Sequence, residues 1–188
     1  IWRTYLDNGN VSGGWIANTN LNILPDGRIV TAWQDKIALL DGDTGLVLKQ
    51  ATLPTGPTPA IDANYKHLTI APDGTLILKD QTRPSGCKLQ GTMAIIQCNE
   101  PGMKQGNSNL VAVHPDTLEV LDSIALPEPA TVPHVITMFE GRIAIYLGVN
   151  SGALRYFWDP QAKKLSQDTS WVVKPMKEGQ TTSDAPSI

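Results

Sequence analysis

The sequence predicts an all-β fold, a β-propeller of four-stranded antiparallel blades with about three blades present. Three observations support this prediction. A phrase that ends in an acidic residue and glycine occurs at 20–27, 67–74 and 134–141, and a β-rich run follows each copy. A second turn phrase comes next, at 40–48, 113–121 and 157–165, and a proline at 54, 127 or 175 closes the unit. Repeated units of this kind bury their faces against their neighbours, so we expect a radial array of small sheets.

The repeats divide residues 1–188 into portions of a single propeller. Residues 1–18 are predicted to end a preceding blade, and 176–188 to begin a next one. The complete blades are predicted at 19–54, 64–127 and 132–175. The turn glycines are 47 and 67 residues apart, whereas a four-stranded blade takes roughly 40 to 50 residues, so the second blade carries an insertion, placed at 79–106. A closed four-bladed ring, in which the first and last segments complete one blade together, is the alternative.

Within the first blade, strands are predicted at 20–24, 28–33, 36–41 and 46–52. Asp and Asn side chains bond to their own backbone in turns and glycine supplies positive φ, so the acidic-glycine clusters mark reversals of direction. Proline cannot donate to a sheet ladder and therefore belongs at a strand exit. Weak helical periodicity, together with 16 glycines and 14 prolines, agrees with the same class.

Charge and hydropathy exclude two classes of partner. The formal net charge is −3 and the basic residues are scattered, with Lys163-Lys164 the one adjacent pair, so the basic stripe of a nucleic-acid-binding protein is missing. No stretch approaches the roughly 18 consecutive apolar residues of a spanning helix. We therefore predict neither a nucleic-acid partner nor membrane insertion.

The two cysteines, Cys87 and Cys98, both fall in the predicted insertion, with ten residues between them. A local disulfide would stabilise an exposed insertion that has little core of its own, and it would indicate an oxidising, extracytoplasmic compartment, periplasmic or secreted. A pair of reduced thiols is the alternative, since no CxxC or His-Cys metal spacing accompanies them.

Three polar residues share one position in the repeat, because Asn20, His67 and His134 each lie seven residues before a turn glycine. If the phrase is the innermost strand of its blade, these residues meet at one mouth of the central channel. There they would bind a metal or an anionic ligand, or one histidine would act as a general acid or base. The alternative is that they cap the strand entry through hydrogen bonds to the backbone. The sequence identifies no cofactor.

Other conspicuous side chains are expected to be structural. Trp33 and Trp158 lie in strand-like segments and are predicted to fill the space between sheets. Asp26, Asp73 and Glu140 are predicted to form turns, because single carboxylates on separate turns do not supply the six to eight oxygens that Ca²⁺ takes.

The stretch 37–49, with its Asp-Thr-Gly turn, resembles the repeat of PQQ-like (quinoprotein-type) β-propellers. The Pro-Asp-Gly turns at 25–27 and 72–74 are similar to those of the wider group of YVTN-type and lactonase-like propellers. The resemblance covers roughly 19–175 and implies architecture rather than chemistry. Enzymatic members carry a tryptophan soon after the Thr-Gly turn and commonly two adjacent cysteines, and both are missing here. PQQ binding is therefore not implied.

Two functions remain. The first is an extracytoplasmic binding or scaffold module for a protein or glycan, with the insertion 79–106 as a contact element and the remaining part of the propeller, on this or another chain, as a partner. The second is a propeller enzyme, a quinoprotein-like dehydrogenase, lyase or hydrolase, with His67 and His134 at the channel mouth. Binding is preferred because the CxxCH, GxSxG, P-loop and HExxH motifs are missing from the sequence.

Overall fold

The computed structural model describes residues 1–4, 6, 20–55, 61–62, 64–65, 67–81, 83–84, 106–130, 133–149 and 151–173. All regular elements in these ranges are β-strands. Their bounds are β1 Asn20–Ile23, β2 Ile29–Trp33, β3 Lys36–Leu40, β4 Val47–Thr52, β5 Ile61–Asp62, β6 His67–Ile70, β7 Leu76–Lys79, β8 Arg83–Pro84, β9 Asn109–Val113, β10 Val120–Ala125, β11 Val135–Phe139, β12 Arg142–Val149, β13 Gly152–Asp159 and β14 Lys164–Val173.

The strands form three antiparallel sheets of four strands each. The first sheet has the order β1-β2-β3-β4, the second β10-β9-β7-β6 and the third β11-β12-β13-β14. A separate two-stranded ribbon pairs β5 with β8. The all-β class and the four-stranded antiparallel units are as predicted, and the arrangement fits propeller-like blades. A closed ring is not seen within the described residues.

The turns between the first two strands of each sheet differ in length. In the first sheet, the N–H of Gly27 donates to the carbonyl of Leu24 at 2.9 Å, and Gly27 has a φ of +89°. The second sheet repeats this contact from Gly74 to Ala71. In the third sheet, Phe139 pairs directly with Arg142, so the loop holds only two residues, both with positive φ. Such a two-residue turn matches the twist of the flanking strands.

The core lies between successive sheets. One apolar cluster joins the first sheet to the second and contains Val30, Ala32, Ile37, Leu39, Leu53, Tyr65, Leu68, Leu76, Leu78, Val111 and Val113 among its buried members. A second cluster joins the second sheet to the third and contains Ile77, Leu110, Ala112, Leu126, Ile143, Ile145, Leu147, Leu154, Tyr156, Trp158 and Leu165. Because side chains alternate across a strand, the second sheet contributes one face to each cluster.

Polar contacts also connect neighbouring sheets, at the end where the turns with Asp26 and Asp73 lie. Arg28 in the first sheet forms an ion pair with Asp116 in the second, at 2.5 Å. The indole N–H of Trp158 in the third sheet donates to Asp73 Oδ2 in the second, at 3.0 Å. The predicted packing role of Trp158 is therefore accompanied by a specific bond to a turn carboxylate.

The predicted insertion, 79–106, lies mostly outside the described residues. β7 ends at Lys79 and β9 begins at Asn109, and between them the structure describes the short strand β8. Cys87 and Cys98 both fall outside the described residues, so their disulfide stays a prediction.

Candidate functional site

The polar residues of most interest gather at one end of the second sheet, where β6 begins, β7 ends and β9 begins. We call this region the connector end, because the segment that leads to the third sheet also lies there. Its buried polar members are Asn64, Lys79, Asp80, Gln81, Ser108, Asn109 and His134, and none is more than 5% exposed. Buried polar groups need hydrogen-bond partners, so each contact here has a consequence for stability or chemistry.

Lys79 is fully buried and ties the connector to the second sheet. Its ammonium donates to the carbonyl of Ala130, and the N–H of Ala130 donates to the hydroxyl of Ser108 at 2.9 Å. The side chain lies on the face of the second sheet that packs toward the third, since Lys79 pairs with Leu110, a member of the second cluster. A buried ammonium is costly unless it is bonded, so Lys79 fixes the path of this connector.

Asp80 is also fully buried, and its carboxylate is bonded to the neighbouring strand. Asp80 Oδ1 accepts from the backbone N–H of Asn109, and Oδ2 accepts from the Asn109 side chain at 2.9 Å. Burial raises the pKa of Asp80 to about 6, although the bonds from Asn109 and the charge of Lys79 act in the opposite direction. Asp80 is therefore expected to lose its proton near pH 6.

His134 is 5% exposed and lies one residue before β11. Burial, together with electrostatic interactions with Lys79 and His67, lowers its pKa to about 3. The backbone of Ile77 is close enough to act in the opposite direction, yet among the described residues neither ring nitrogen has a hydrogen-bond partner of good geometry. The imidazole is consequently neutral at pH 7, with polar atoms available to a further group.

The structure brings His67 and His134 together, but not because they share a register. His67 begins β6 and pairs with Lys79, so it points toward the third sheet. The turn between β11 and β12 is one residue shorter than the turn between β6 and β7. Lys79 and Tyr146 each lie five residues after their turn glycine, and Tyr146 pairs with Val135. Val135, and not His134, is therefore the counterpart of His67. His134 precedes Val135 by one position, and alternation turns its side chain back toward the second sheet. The two histidines thus face each other across the interface.

The third predicted site residue, Asn20, begins β1 and pairs with Ala32. Its side chain lies outside the described part, so the predicted convergence of all three residues stays untested. No group of three His, Cys, Asp or Glu side chains in the described ranges could hold a metal ion. Within those ranges the connector end offers a neutral imidazole, a second histidine and a buried ammonium. This set is suited to hydrogen bonding or anion binding.

A further set of buried polar groups joins the connector end to the first sheet. The backbone N–H of Gln34 donates to Asn64 Oδ1 at 3.2 Å, and the N–H of Tyr65 donates to the Gln34 carbonyl at 2.7 Å. The Tyr65 hydroxyl donates to the carbonyl of Pro54 at 2.6 Å. Burial raises the pKa of Tyr65, and the charges of Asp80 and Asp35 raise it further. Tyr65 is therefore a neutral donor that anchors the segment between the sheets.

The third sheet carries a second candidate site that the sequence analysis did not identify. An open cavity of about 450 Å³ is lined by Phe139, Arg142, Arg155, Phe157, Asp168 and Ser170, among others. We call it the third-sheet depression. Arg155 pairs with Tyr146, and the residues on either side of Arg155, Leu154 and Tyr156, belong to the second cluster. Alternation therefore places the depression on the face that points away from the second sheet.

Arg155 is the centre of this depression. Its Nε and Nη2 both donate to Asp168 Oδ2, at 2.9 and 2.6 Å. Its guanidinium carbon lies 4.2 Å from the ring centroid of Phe139 and 5.1 Å from that of Trp171. The hydroxyl of Ser170, followed by Arg155, lowers the pKa of Asp168 to about 2. The Arg155 guanidinium is therefore held by the ionised carboxylate of Asp168 and by the rings of Phe139 and Trp171. We call this group of four side chains the platform.

Arg142 lies beside this platform without an ion pair of its own among the described residues. Its guanidinium carbon is 3.6 Å from the ring centroid of Phe157. In sequence, Arg142 directly follows a turn glycine, as Arg28 does in the first sheet. Arg28 bonds there to Asp26 and also reaches Asp116 in the next sheet. Arg142 thus occupies the position from which an arginine contacts the neighbour of its sheet.

Comparison with known proteins adds no family. No protein-family model matches the chain, and no curated protein matches it. A search of the described residues finds no helix that is long and apolar enough to cross a membrane. The resemblance to PQQ-like propellers therefore stays a prediction, and the functional argument rests on the two sites described above.

Proposed function

We propose that this chain is an extracytoplasmic β-propeller portion that acts as a binding or scaffold module for a protein or glycan, with the third-sheet depression as its binding surface. One observation carries the proposal. The two interfaces between described sheets are built on apolar clusters, whereas the outer face of the third sheet carries an exposed Arg142 beside a largely buried Arg155–Asp168 pair among aromatic rings. A face of this composition suits a polar partner better than another aliphatic sheet.

The position of Arg142 supports a ligand that carries a carboxylate. Arg28, its counterpart in the first sheet, binds Asp26 on its own turn and Asp116 on the neighbouring sheet. Glu140 is the turn residue that corresponds to Asp26. The carboxylate of a ligand would then take the position beside Arg142 that Asp116 takes beside Arg28. Arginine is well suited to this contact, because its planar fork of donors matches a carboxylate.

A protein ligand is favoured over a glycan. Arginine, tryptophan and tyrosine are the residues that most often dominate protein interfaces, and Arg155, Trp171 and Tyr146 lie together here. A sugar usually needs an open aromatic face, but the rings of Phe139 and Phe157 already hold arginine side chains. The preferred ligand is therefore a protein segment with an exposed Asp or Glu.

Binding of immobilised acidic peptides and of uronate-containing oligosaccharides to the chain tests this proposal. Arg142→Ala is expected to weaken peptide binding by about tenfold or more, because a charge-assisted contact is lost. Lys164→Ala is the matched control, since it removes an exposed cation of the same sheet that does not line the depression. Equal losses in both variants would indicate a general charge effect and refute the assignment. A loss confined to the oligosaccharides would replace the protein with a glycan.

The enzyme alternative is favoured by one observation, the meeting of His67, Lys79 and His134 at the connector end. Its difficulty is access, since Lys79 is 0% and His134 5% exposed. Metal content measured on the purified chain separates the two functions. Stoichiometric metal that is lost in His67→Ala and His134→Ala supports the enzyme, whereas unchanged metal content with reduced stability supports a structural role for the histidines.

A further inference from the structure

The outer face of the first sheet, which points away from the second, is apolar, buried at its centre and exposed along β1. Leu21 is 57% and Ile23 66% exposed on β1. They share this face with an apolar cluster of Ile29, Trp33, Ala38 and Leu40. The opposite face supplies residues such as Val30 and Leu39 to the cluster with the second sheet. A sheet that is apolar on both faces is normally covered on both.

The described residues 1–4 and 6 contact this face as the end of a fourth strand contacts the sheet that follows it. Leu53 directly follows β4 and is buried in the first cluster, and Leu126 directly follows β10 and is buried in the second. Leu6 packs in the same manner against the outer-face cluster of the first sheet. Leu6 and Leu53 share one spacing, since each precedes a turn glycine by 21 residues, whereas Leu126 precedes Gly141 by 15.

The residues four positions before Leu126 and Leu6 give a second comparison. Asp122, four before Leu126, accepts through Oδ2 from the N–H of Leu165, just after the turn between the third and fourth strands of the next sheet. Trp2, four before Leu6, donates from its indole nitrogen to the carbonyl of Gly42 at 3.1 Å. Gly42 lies in the corresponding turn of the first sheet, between β3 and β4.

We infer that the outer face of the first sheet is a docking face for another four-stranded antiparallel sheet, whose outermost strand is residues 1–6. The occupant presents aliphatic side chains to Leu21 and Ile23, as the second sheet does to the first. The third sheet of a second copy does not fit this face. It would press the exposed guanidinium of Arg142 against leucine and isoleucine, and a buried charge without a new partner is destabilising.

Hydrogen exchange read by mass spectrometry tests this inference, on the protein in the form its source cell contains and on the 188-residue chain alone. In the natural form, amides of 1–6 and 20–23 are expected to exchange at least about tenfold more slowly than in the chain alone, because a covering sheet lowers local opening. This protection is expected to be independent of protein concentration. Equal exchange in the two forms would overturn the inference, as would protection that disappears on dilution, which would assign the face to a second copy.

A dye experiment supplies the second readout. The chain alone is expected to bind bis-anilinonaphthalene sulfonate at this face, with binding reduced severalfold in the Leu21→Asp, Ile23→Asp double variant. Met138→Asp is the control, because Met138 is 52% exposed on the third sheet. In the natural form the dye is expected not to bind at this face. If the double variant reduced dye binding to the natural form as much as it reduces binding to the chain alone, the covering sheet would be contradicted. Neither readout involves Arg142, so the outcome is independent of the proposed ligand site.

Discussion

His134 and Asp80 are expected to give this protein two opposing pH dependences that nearly cancel. His134 has a pKa of about 3 in the folded protein and an ordinary value of 6.5. Between these values the unfolded chain carries a proton on this residue that the folded protein does not. The free energy of unfolding therefore rises with pH by about 1.4 kcal/mol per pH unit, and the stability is lost as the pH falls from 6.5 toward 3.

Asp80 acts with the opposite sign. Its pKa is about 6 in the folded protein and 3.8 otherwise, so the folded protein holds the extra proton between those values. This contribution is fully present below pH 3.8 and is lost as the pH rises through 6, again by about 1.4 kcal/mol per pH unit. From about pH 4.5 to 5.5 both slopes are near their full size, and the two residues should leave the wild-type stability nearly flat.

Removing one residue at a time should expose the other. In His134→Gln, the free energy of unfolding is expected to fall by about 1 kcal/mol or more from pH 4.5 to 5.5, whereas in Asp80→Asn it is expected to rise by a similar amount. Other titrating groups, including Asp168 with its pKa of about 2, contribute equally to all variants. Comparing variants therefore isolates the pair.

Urea unfolding followed by tryptophan fluorescence, at half-unit steps of pH, measures these slopes. The double variant serves as the control, because it should return to a slope near that of the wild type. Parallel slopes in His134→Gln and the wild type would show that His134 is protonated or solvated in the folded protein. The reasoning about the connector end would then be wrong.

Three further changes test the packing and the turns. Leu126→Ala removes a side chain that is 1% exposed and is expected to cost about 2 to 5 kcal/mol in urea unfolding; a loss below about 1 kcal/mol would contradict its place in the core. Trp158→Phe removes the bond to Asp73 and is expected to cost about 1 kcal/mol by the same measurement, and no loss would show that this bond contributes nothing. Gly45→Ala places a Cβ 2.2 Å from the Trp2 ring, whereas Gly27→Ala meets nothing within 4 Å, so only the former should shift tryptophan fluorescence. Identical spectra in the two glycine variants would refute the docking of residues 1–6.

The sheets could be predicted because the signals that form them are local. In the first sheet, the predicted strands 20–24, 28–33, 36–41 and 46–52 differ from the observed ones by no more than one residue at either end. Glycine with positive φ and an acidic residue that bonds to the backbone two positions later define the turns at Asp26-Gly27 and Asp73-Gly74, and both residue types are visible in the sequence. Strand existence and turn position therefore required no knowledge of distant contacts.

The connector end could be predicted only in part. The spacing to the turn glycines pointed to His67 and His134, but it implied one shared register position. The two histidines face each other because the Glu140-Gly141 turn is one residue shorter, a difference that the aligned glycines conceal. Lys79 and Asp80 gave no signal, since an isolated Lys-Asp pair in sequence is typical of a solvated strand end. Their burial depends on connectors that arrive from elsewhere in the chain.

The third-sheet depression was missed for a related reason. Arg155 alternates with apolar residues on β13, which by itself predicts an exposed arginine. Its environment comes from three other strands, with Phe139 on β11, Tyr146 on β12 and Asp168 on β14. No local pattern specifies that these strands will place their side chains around one guanidinium, so the site becomes visible only after the sheet is assembled.

The two outer faces differ in a way that decides how the molecule can associate. The first sheet exposes Leu21 and Ile23, whereas the third exposes Arg142 beside the largely buried Arg155–Asp168 pair. If identical copies associated head to tail, one face would meet the other and charged groups would be buried against aliphatic ones, which is unfavourable. We therefore expect head-to-tail association of identical copies to be disfavoured. The proposed aliphatic sheet on one side and the proposed acidic ligand on the other would satisfy both faces, so the two proposals can be tested independently.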